Sequence, residues 1–213
     1  MRTINRRKLQ ALSPSLAVLI SLAAFSLPSS AAPPPAGWHR FFVAAAAGLF
    51  SPGQDAFRKA YAPPAWPVEL QLGLELERKL DLFAAARYLR ASGNTVPLPP
   101  LFPEETYALR LEVLCLRLGV NYRLGRGRIA PFVGAGAQYV FFKETWRDLS
   151  VEAHGRTVGF FAAAGGLCRL GRSLHFLAQL DYSSIPAGAA GGLAESADLG
   201  GLSLLLGIRC GIF

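Results

Sequence analysis

Apolar and polar side chains alternate with a period of two along most of the chain beyond residue 37. In residues 68–77, valine or leucine occupies every even position, and glutamate, glutamine or glycine occupies every odd one. A β-strand places such positions on opposite faces, whereas a helix would spread them around its circumference. The pattern recurs between turn signals, and we predict eight strands, at about residues 38–50, 66–77, 80–91, 106–124, 128–145, 157–169, 173–184 and 199–213.

The connections between these segments alternate between short and long. The short ones hold Arg78 and Lys79, then "GRGR", then "GRS". The long ones are residues 51–65, 92–105, 146–156 and 185–198. Tight turns at one end and longer loops at the other are typical of barrels in the bacterial outer membrane. The predicted fold is therefore all-β: a transmembrane antiparallel up-and-down β-barrel of eight strands.

One face of the predicted strands carries charged side chains of both signs, as an internal ion-pair network requires. The other face is almost entirely apolar, and its charged exceptions, Arg90 and Lys143, fall near the predicted outer rim, where a charge costs little. We therefore expect apolar side chains to face lipid and ionic ones to fill the lumen, without a wide aqueous channel. The predicted structural network of the lumen comprises Glu69, Glu75, Arg87, Arg110, Glu112, Arg117, Arg123, Asp181 and Arg209.

The alternation changes phase once, within residues 107–124. Apolar residues occupy odd positions at first, as at Leu109 and Leu111, and even positions later, as at Leu116. A slip of one residue near 113–116 explains the change, and a β-bulge produces such a slip. We therefore predict a bulge in the fourth strand.

The first 31 residues have the pattern of a secretory signal peptide. "MRTINRRK" is a positive segment, an apolar segment follows, and the small residues of "PSSAA" suit a cleavage site after Ala31. An uncleaved membrane anchor is the alternative. The predicted organisation is a signal peptide at 1–31, a proline-rich leader at 32–37 and a barrel at 38–213, exported to the periplasm and inserted into the outer membrane.

The chain resembles the small eight-stranded bacterial outer-membrane β-barrel proteins, the OmpX- and OmpW-like group with porin-family barrel domains. The likeness rests on the signal peptide, "AGLFSPGQDAFRKAY", "NYRLGRGRIAPFVGAGAQYVFFKE" and the terminal Phe213. It implies a Gram-negative envelope, with outer-membrane lipid and lipopolysaccharide as partners and the barrel-assembly machinery recognising the C-terminal strand. Because an unpaired strand edge is unfavourable in hydrocarbon, we expect the first and last strands to close the barrel where Trp38 meets Phe213. We also expect the protein to be a monomer.

The candidate chemistry does not favour catalysis or nucleic-acid binding. The formal net charge is +8, and four of the basic residues lie in the first 31 residues. The remaining lysines and arginines form no basic patch in the sequence. No cysteine or histidine cluster has metal-ligand spacing, so no metal or cofactor is expected. His175 shares the polar face with Asp181, but no nucleophile elbow accompanies it, and we expect a structural histidine.

The three cysteines, Cys115, Cys168 and Cys210, fall on the fourth, sixth and eighth predicted strands, no two of which are neighbours. We therefore predict three free thiols, or intermolecular chemistry at most, because the separation is too large for a disulfide within the chain. The predicted function is a non-enzymatic role in envelope integrity, surface interaction or small-solute passage. The alternatives are a lipid-modifying outer-membrane enzyme and a narrow transporter of small apolar molecules.

Overall fold

The structure is a computed structural model, and it describes residues 40–61, 65–76, 79–94, 108–125, 127–146, 151–187 and 197–212. Its elements are β1 (Arg40–Pro52), α1 (Asp55–Ala60), β2 (Val68–Glu75), β3 (Leu80–Asn94), β4 (Ala108–Arg123), β5 (Ile129–Trp146), β6 (Val151–Arg169), β7 (Leu174–Ser184), β8 (Pro186–Ala187), β9 (Ala197–Asp198) and β10 (Gly201–Ile212).

Eight of these strands form a closed barrel in the order β1-β10-β7-β6-β5-β4-β3-β2, and every neighbouring pair is antiparallel. The barrel closes between β1 and β10, from Phe41 opposite Ile212 to Pro52 opposite Gly201. The predicted eight-stranded up-and-down barrel is confirmed. The signal peptide, the leader, Trp38 and Phe213 lie outside the described residues, so their roles stay predictions.

The exterior of the barrel is apolar over most of its height. In β3, the odd positions from 81 to 91 are buried, and the even positions from 82 to 90 are exposed. Leucine, isoleucine, valine, phenylalanine and tyrosine make up the large exposed side chains of the wall. Because so large an apolar surface is stable in hydrocarbon and not in water, it fits a barrel that spans a bilayer.

No bulge occurs in β4, so that prediction is wrong. The register is continuous against both β3 and β5, and odd-numbered residues from Leu109 to Asn121 are buried throughout. The interior changes character instead. Leu109 and Leu111 line an apolar part of the lumen near the long loops, whereas Arg117 and Asn121 line a polar part near the short turns. The apolar residues of β4 therefore change from odd to even positions along the strand, although its pairing with β3 and β5 does not slip.

The hairpin of β5 and β6 is longer than predicted. Trp146 pairs with Val151, so the connection expected at 146–156 shrinks to 147–150. The extension of β6 still alternates, but its outward positions are Glu152, His154 and Arg156. A search for apolar alternation therefore missed this end of the strand.

The connection between β1 and β2 covers the end of the lumen that carries the long loops, here called the loop end. The Phe50 N–H donates to the Ala65 carbonyl at 2.9 Å, and α1 brings Phe57 and Tyr61 into the interior, where both are buried. Burial, with the Glu144 carboxylate beside it, raises the pKa of Tyr61, so the phenol stays protonated. None of the helices among the described residues is long and apolar enough to cross a bilayer.

The loop half of the lumen is an apolar core rather than an open passage. Its aromatic contacts include Phe57 against Tyr61, with ring centroids 4.7 Å apart. The core comprises Phe50, Phe57, Tyr61, Ala65, Leu89, Ala91, Leu109, Leu111, Val113, Cys115, Val140, Phe142, Ile185 and Leu199. Cys115, Cys168 and Cys210 are free and lie on β4, β6 and β10, so the prediction of three free thiols is confirmed.

Candidate functional site

Four charged side chains form a square in the middle of the lumen, here called the middle layer. Glu69 on β2 accepts hydrogen bonds from Arg87 Nε on β3 and Arg117 Nη1 on β4, both at 2.6 Å. Asp181 on β7 accepts from Arg87 Nη1 at 2.7 Å and from Arg117 Nη2 at 2.5 Å. The side chains of Glu69, Arg117 and Asp181 have no solvent exposure. The charges alternate around the square, and the layer is neutral.

A second square lies closer to the short turns and is called the turn-side layer. Arg209 on β10 donates to Asp81 at 2.6 Å and to Glu75 at 2.7 Å. Arg123 on β4 lies 2.8 Å from the same Asp81 carboxylate and 3.2 Å from Glu75. Two cations and two carboxylates again balance. Both layers connect the β2–β4 side of the barrel to the opposite wall, through β7 in one case and β10 in the other.

In each layer, one guanidinium stacks on a phenylalanine ring. Arg117 Cζ lies 3.6 Å from the centroid of Phe161, and Arg209 Cζ lies 3.6 Å from the centroid of Phe42. A desolvated cation over an aromatic face is stabilised by about 2 kcal/mol or more. Each ring therefore covers one face of its arginine's guanidinium.

Two glycines leave the space that the ring of Phe161 occupies. A Cβ on Gly119 would lie 2.7 Å from Phe161 Cζ, and a Cβ on Gly136 would lie 2.6 Å from the same atom. The two glycines are direct partners across β4 and β5. Any side chain at either position would displace the ring that supports Arg117.

Seven of the nine residues predicted for the lumen network lie in the two layers. Arg110 and Glu112 do not. They pair with each other on the outer face of β4, where both are partly exposed. The supposed bulge had placed them inside, and the continuous register turns them outward. Asp81 was missed, although the alternation of β3 places it on the same face as Arg87.

His175, on the polar face predicted from the sequence, lies at the turn end of the lumen. It lies opposite Arg209 on one neighbouring strand and Arg169 on the other, and its buried Nδ1 has no partner among the described residues. No cluster of three histidine, cysteine, aspartate or glutamate side chains among the described residues could hold a metal ion.

Within the described strands, charged residues on the outward face are confined to one area near the loop end, here called the outer basic patch. It comprises Arg90, Arg110, Glu112, Lys143, Glu152 and Arg156, together with His154. Arg90, Glu112, Lys143 and His154 are direct cross-strand partners in one row over β3–β6. Among the described residues, the outward positions of β1, β2, β7 and β10 carry no charge.

The outer basic patch has more positive than negative charge. Arg110 pairs with Glu112 at 2.5 Å, and Lys143 pairs with Glu152 at 2.7 Å. Arg90 and Arg156 form no ion pair with any described residue, which leaves two positive charges in excess. A cavity of about 860 Å³ opens among these side chains.

An apolar groove of about 670 Å³ lies directly below the outer basic patch on the same strands. The row beneath Arg156 contains Leu116, Tyr139 and Val158, which are direct partners across β4–β6. Alanines at 84, 86 and 137 form part of the floor of this groove. Cations therefore lie immediately above an apolar groove.

Comparison with known proteins gives likeness of structure only. No protein-family model matches the chain, and no curated protein matches it. Outer membrane protein OprG of Pseudomonas aeruginosa superposes with a TM-score of 0.55 at 15% identity, over 82% of this chain and 94% of that one. Neisserial surface protein A gives 0.53 at 13% identity, over 81% and 96%. A major outer membrane protein of Thermus thermophilus gives 0.53 at 14% identity, over 82% and 100%.

These structural neighbours are integral proteins of bacterial outer membranes, and the chain has their fold: a small eight-stranded outer-membrane β-barrel. At identities this low, the likeness extends to architecture and leaves the role of the individual side chains to the geometry.

Proposed function

We propose that the protein is a non-enzymatic outer-membrane barrel that contributes to envelope integrity by binding lipopolysaccharide through its outer basic patch. The observation that carries this proposal is that all outward charges within the described strands lie at the loop end of β3–β6. Long loops face the exterior in barrels of this class, so the patch lies at the level of the outer leaflet. The lipid of that leaflet carries phosphate groups above its acyl chains.

The arrangement matches an anionic amphiphile in both chemistry and order. Arg90, Arg156 and the paired Arg110 and Lys143 offer donors to phosphate, and arginine suits phosphate because its fork can bind two oxygens at once. The groove below them receives hydrocarbon. A lipid anchored in this way would pack against one side of the barrel and hold neighbouring molecules of the leaflet in place.

Passage of small polar solutes receives no support from the described lumen. The middle and turn-side layers join opposite walls by direct ion pairs, and an apolar core fills the loop half. An eight-stranded barrel of this kind has no room for a continuous water column. In planar bilayers, the refolded protein should therefore show no steady conductance.

Native mass spectrometry of the refolded protein in detergent tests the proposal. Lys143→Gln/Arg156→Gln should weaken binding of bisphosphorylated lipid A by roughly ten- to thirtyfold, since each cation near a lipid surface contributes about 1 kcal/mol. Binding of dephosphorylated lipid A should not change. The matched control, Arg58→Gln/Lys59→Gln, removes two cations of α1, which lie outside the outer basic patch. Equal weakening by both double variants would contradict the proposal.

A narrow transporter of small apolar molecules is the second candidate. It is favoured by the apolar lining of the loop half, where Leu111, Val113 and Phe142 face the lumen. If this candidate holds, a fluorescent apolar probe should bind saturably and Phe142→Arg should abolish that binding. An enzyme acting on lipid would instead release acyl groups from lipopolysaccharide or phospholipid, and we expect no release.

A further inference from the structure

A second concentration of positive charge lies at the end of the barrel that carries the short turns, far from the outer basic patch. It surrounds a cavity of about 780 Å³, here called the turn-end cup. The cup is lined by Glu75, Arg123, Arg128, Arg169, Leu170, Gly171, Arg172 and His175. The strand ends and two turns supply these residues, so the cup forms only when the barrel closes.

The cup has a large excess of positive charge. Its one carboxylate among the described residues, Glu75, is already paired with Arg123 and Arg209. Arg128, Arg169 and Arg172 are exposed and form no ion pair with any described residue. Three guanidinium groups therefore face the cavity without a counter-charge.

Two buried polar atoms in the lining also lack partners. His175 Nδ1 and Arg123 Nε are shielded from solvent, and neither forms a hydrogen bond within the described chain. A buried donor or acceptor left unpaired costs about 1–3 kcal/mol, so most such atoms in proteins are satisfied by something. Both atoms belong to side chains that line the same cavity.

The cup is blind at its inner end. Arg209 and Arg123 bind both Glu75 and Asp81, and the ring of Phe42 packs against Arg209 from within the lumen. A ligand that enters the cup cannot continue through the barrel. The geometry therefore serves binding and not transport.

We propose that the turn-end cup is a binding site for a phosphorylated molecule on the periplasmic side of the membrane. Guanidinium groups bind phosphate oxygens in pairs, and three free arginines around one cavity suit a ligand with two phosphate groups or one doubly charged phosphate. The phosphate belongs either to a soluble compound or to the headgroup of an inner-leaflet lipid. Short turns face the periplasm in barrels of this class, and both sources are accessible there.

Isothermal titration of inorganic pyrophosphate into the full refolded protein in zwitterionic micelles tests this site. The protein should bind pyrophosphate saturably, and Arg128→Gln/Arg172→Gln should weaken the affinity at least tenfold. Arg58→Gln/Lys59→Gln, which removes the same charge from α1 at the opposite end of the barrel, should leave it unchanged. Absence of binding, or equal affinity in both double variants, would overturn the proposal.

The imidazole of His175 supplies a site-specific readout. Pyrophosphate should shift the ¹⁵N resonance of Nδ1, because that atom gains a partner, and the shift should disappear in Arg128→Gln/Arg172→Gln. An unchanged resonance at saturating pyrophosphate would place the anion elsewhere and refute the cup as its site.

Nanodiscs distinguish the two sources of phosphate. If phosphatidylglycerol discs abolish the response to pyrophosphate and phosphatidylcholine discs do not, the ligand is a lipid headgroup. If pyrophosphate binds equally in both, the ligand is soluble, and either result supports the site. Because Arg128→Gln/Arg172→Gln and Lys143→Gln/Arg156→Gln act at opposite ends, this proposal can fail while lipid A binding at the outer basic patch succeeds.

Discussion

Arg117→Met should destabilise the barrel far more than the loss of a paired charge on its outer wall. The substitution keeps an unbranched side chain and removes a guanidinium that has no solvent exposure. It leaves Glu69 and Asp181 with Arg87 as their only cation, so one buried negative charge becomes uncompensated. Breaking a buried ion pair by removing one partner costs about 3–5 kcal/mol of unfolding free energy.

The matched control is Arg110→Met on the same strand. Arg110 also pairs with a carboxylate, Glu112 at 2.5 Å, but both side chains are about one-third exposed on the outer face. Surface pairs contribute about 0–1 kcal/mol, so this variant should unfold almost as the parent does. The comparison therefore also tests whether Arg110 faces outward.

Urea titration of protein refolded into lipid vesicles measures both variants, with tryptophan fluorescence and heat-modifiable gel mobility as independent probes. A linear dependence of unfolding free energy on urea gives the difference in stability. The double variant Arg117→Met/Asp181→Asn restores neutrality, with Glu69 and Arg87 still paired, and should recover part of the loss. A loss of less than about 1 kcal/mol for Arg117→Met, the value for a surface pair, would contradict a buried square. A larger loss in Arg117→Met/Asp181→Asn than in Arg117→Met alone would contradict the neutrality of the layer.

Three further predictions address the interior. Phe161→Leu should cost about 2 kcal/mol or more of unfolding free energy, because it removes the ring beneath a desolvated guanidinium; a loss no larger than that of a surface substitution would refute the stacking. Gly119→Ala should destabilise by about 1–3 kcal/mol through overpacking. Gly166→Ala is the control, because its Cβ would meet nothing within 4 Å, and it should leave the free energy of unfolding unchanged. Equal losses for the two variants in the same urea titration would exclude the clash at Gly119. Mass spectrometry after maleimide treatment should find Cys115, 4% exposed, labelled only after unfolding; labelling in the folded barrel would show an open loop half.

The alternation of side chains was enough to predict the architecture because every strand of a closed barrel obeys the same two-faced rule. It also placed Lys143 and Arg90 correctly on the outward face near the loop end. It failed where the lumen itself changes from polar to apolar. At that point in β4, the inward residue passes from Arg117 to Cys115 and Val113, and the change of phase resembles a bulge.

The outer basic patch and the turn-end cup could not be predicted from the sequence, because pairing between strands brings their residues together. Arg90 and Lys143 are far apart in the sequence, and the row that joins them depends on two separate registers. The same holds for Arg128 and Arg172, which belong to two turns. The absence of a basic run in the sequence therefore did not exclude basic surfaces in the fold.

The two squares have a consequence for how the chain finds one register. A slip of one residue in any barrel strand reverses all of its faces, and a buried arginine turned outward at the bilayer midplane costs about 2–4 kcal/mol. β2, β3 and β4 each supply charges to both layers, while Asp181 on β7 and Arg209 on β10 complete the squares from the opposite wall. A slip of β3 would therefore remove Arg87 and Asp81 together, one from each layer. An apolar lumen of equal volume could be as stable, but a slip of β3 would then cost less free energy. We therefore infer that the ionic layers specify the pairing of the strands as well as filling the barrel.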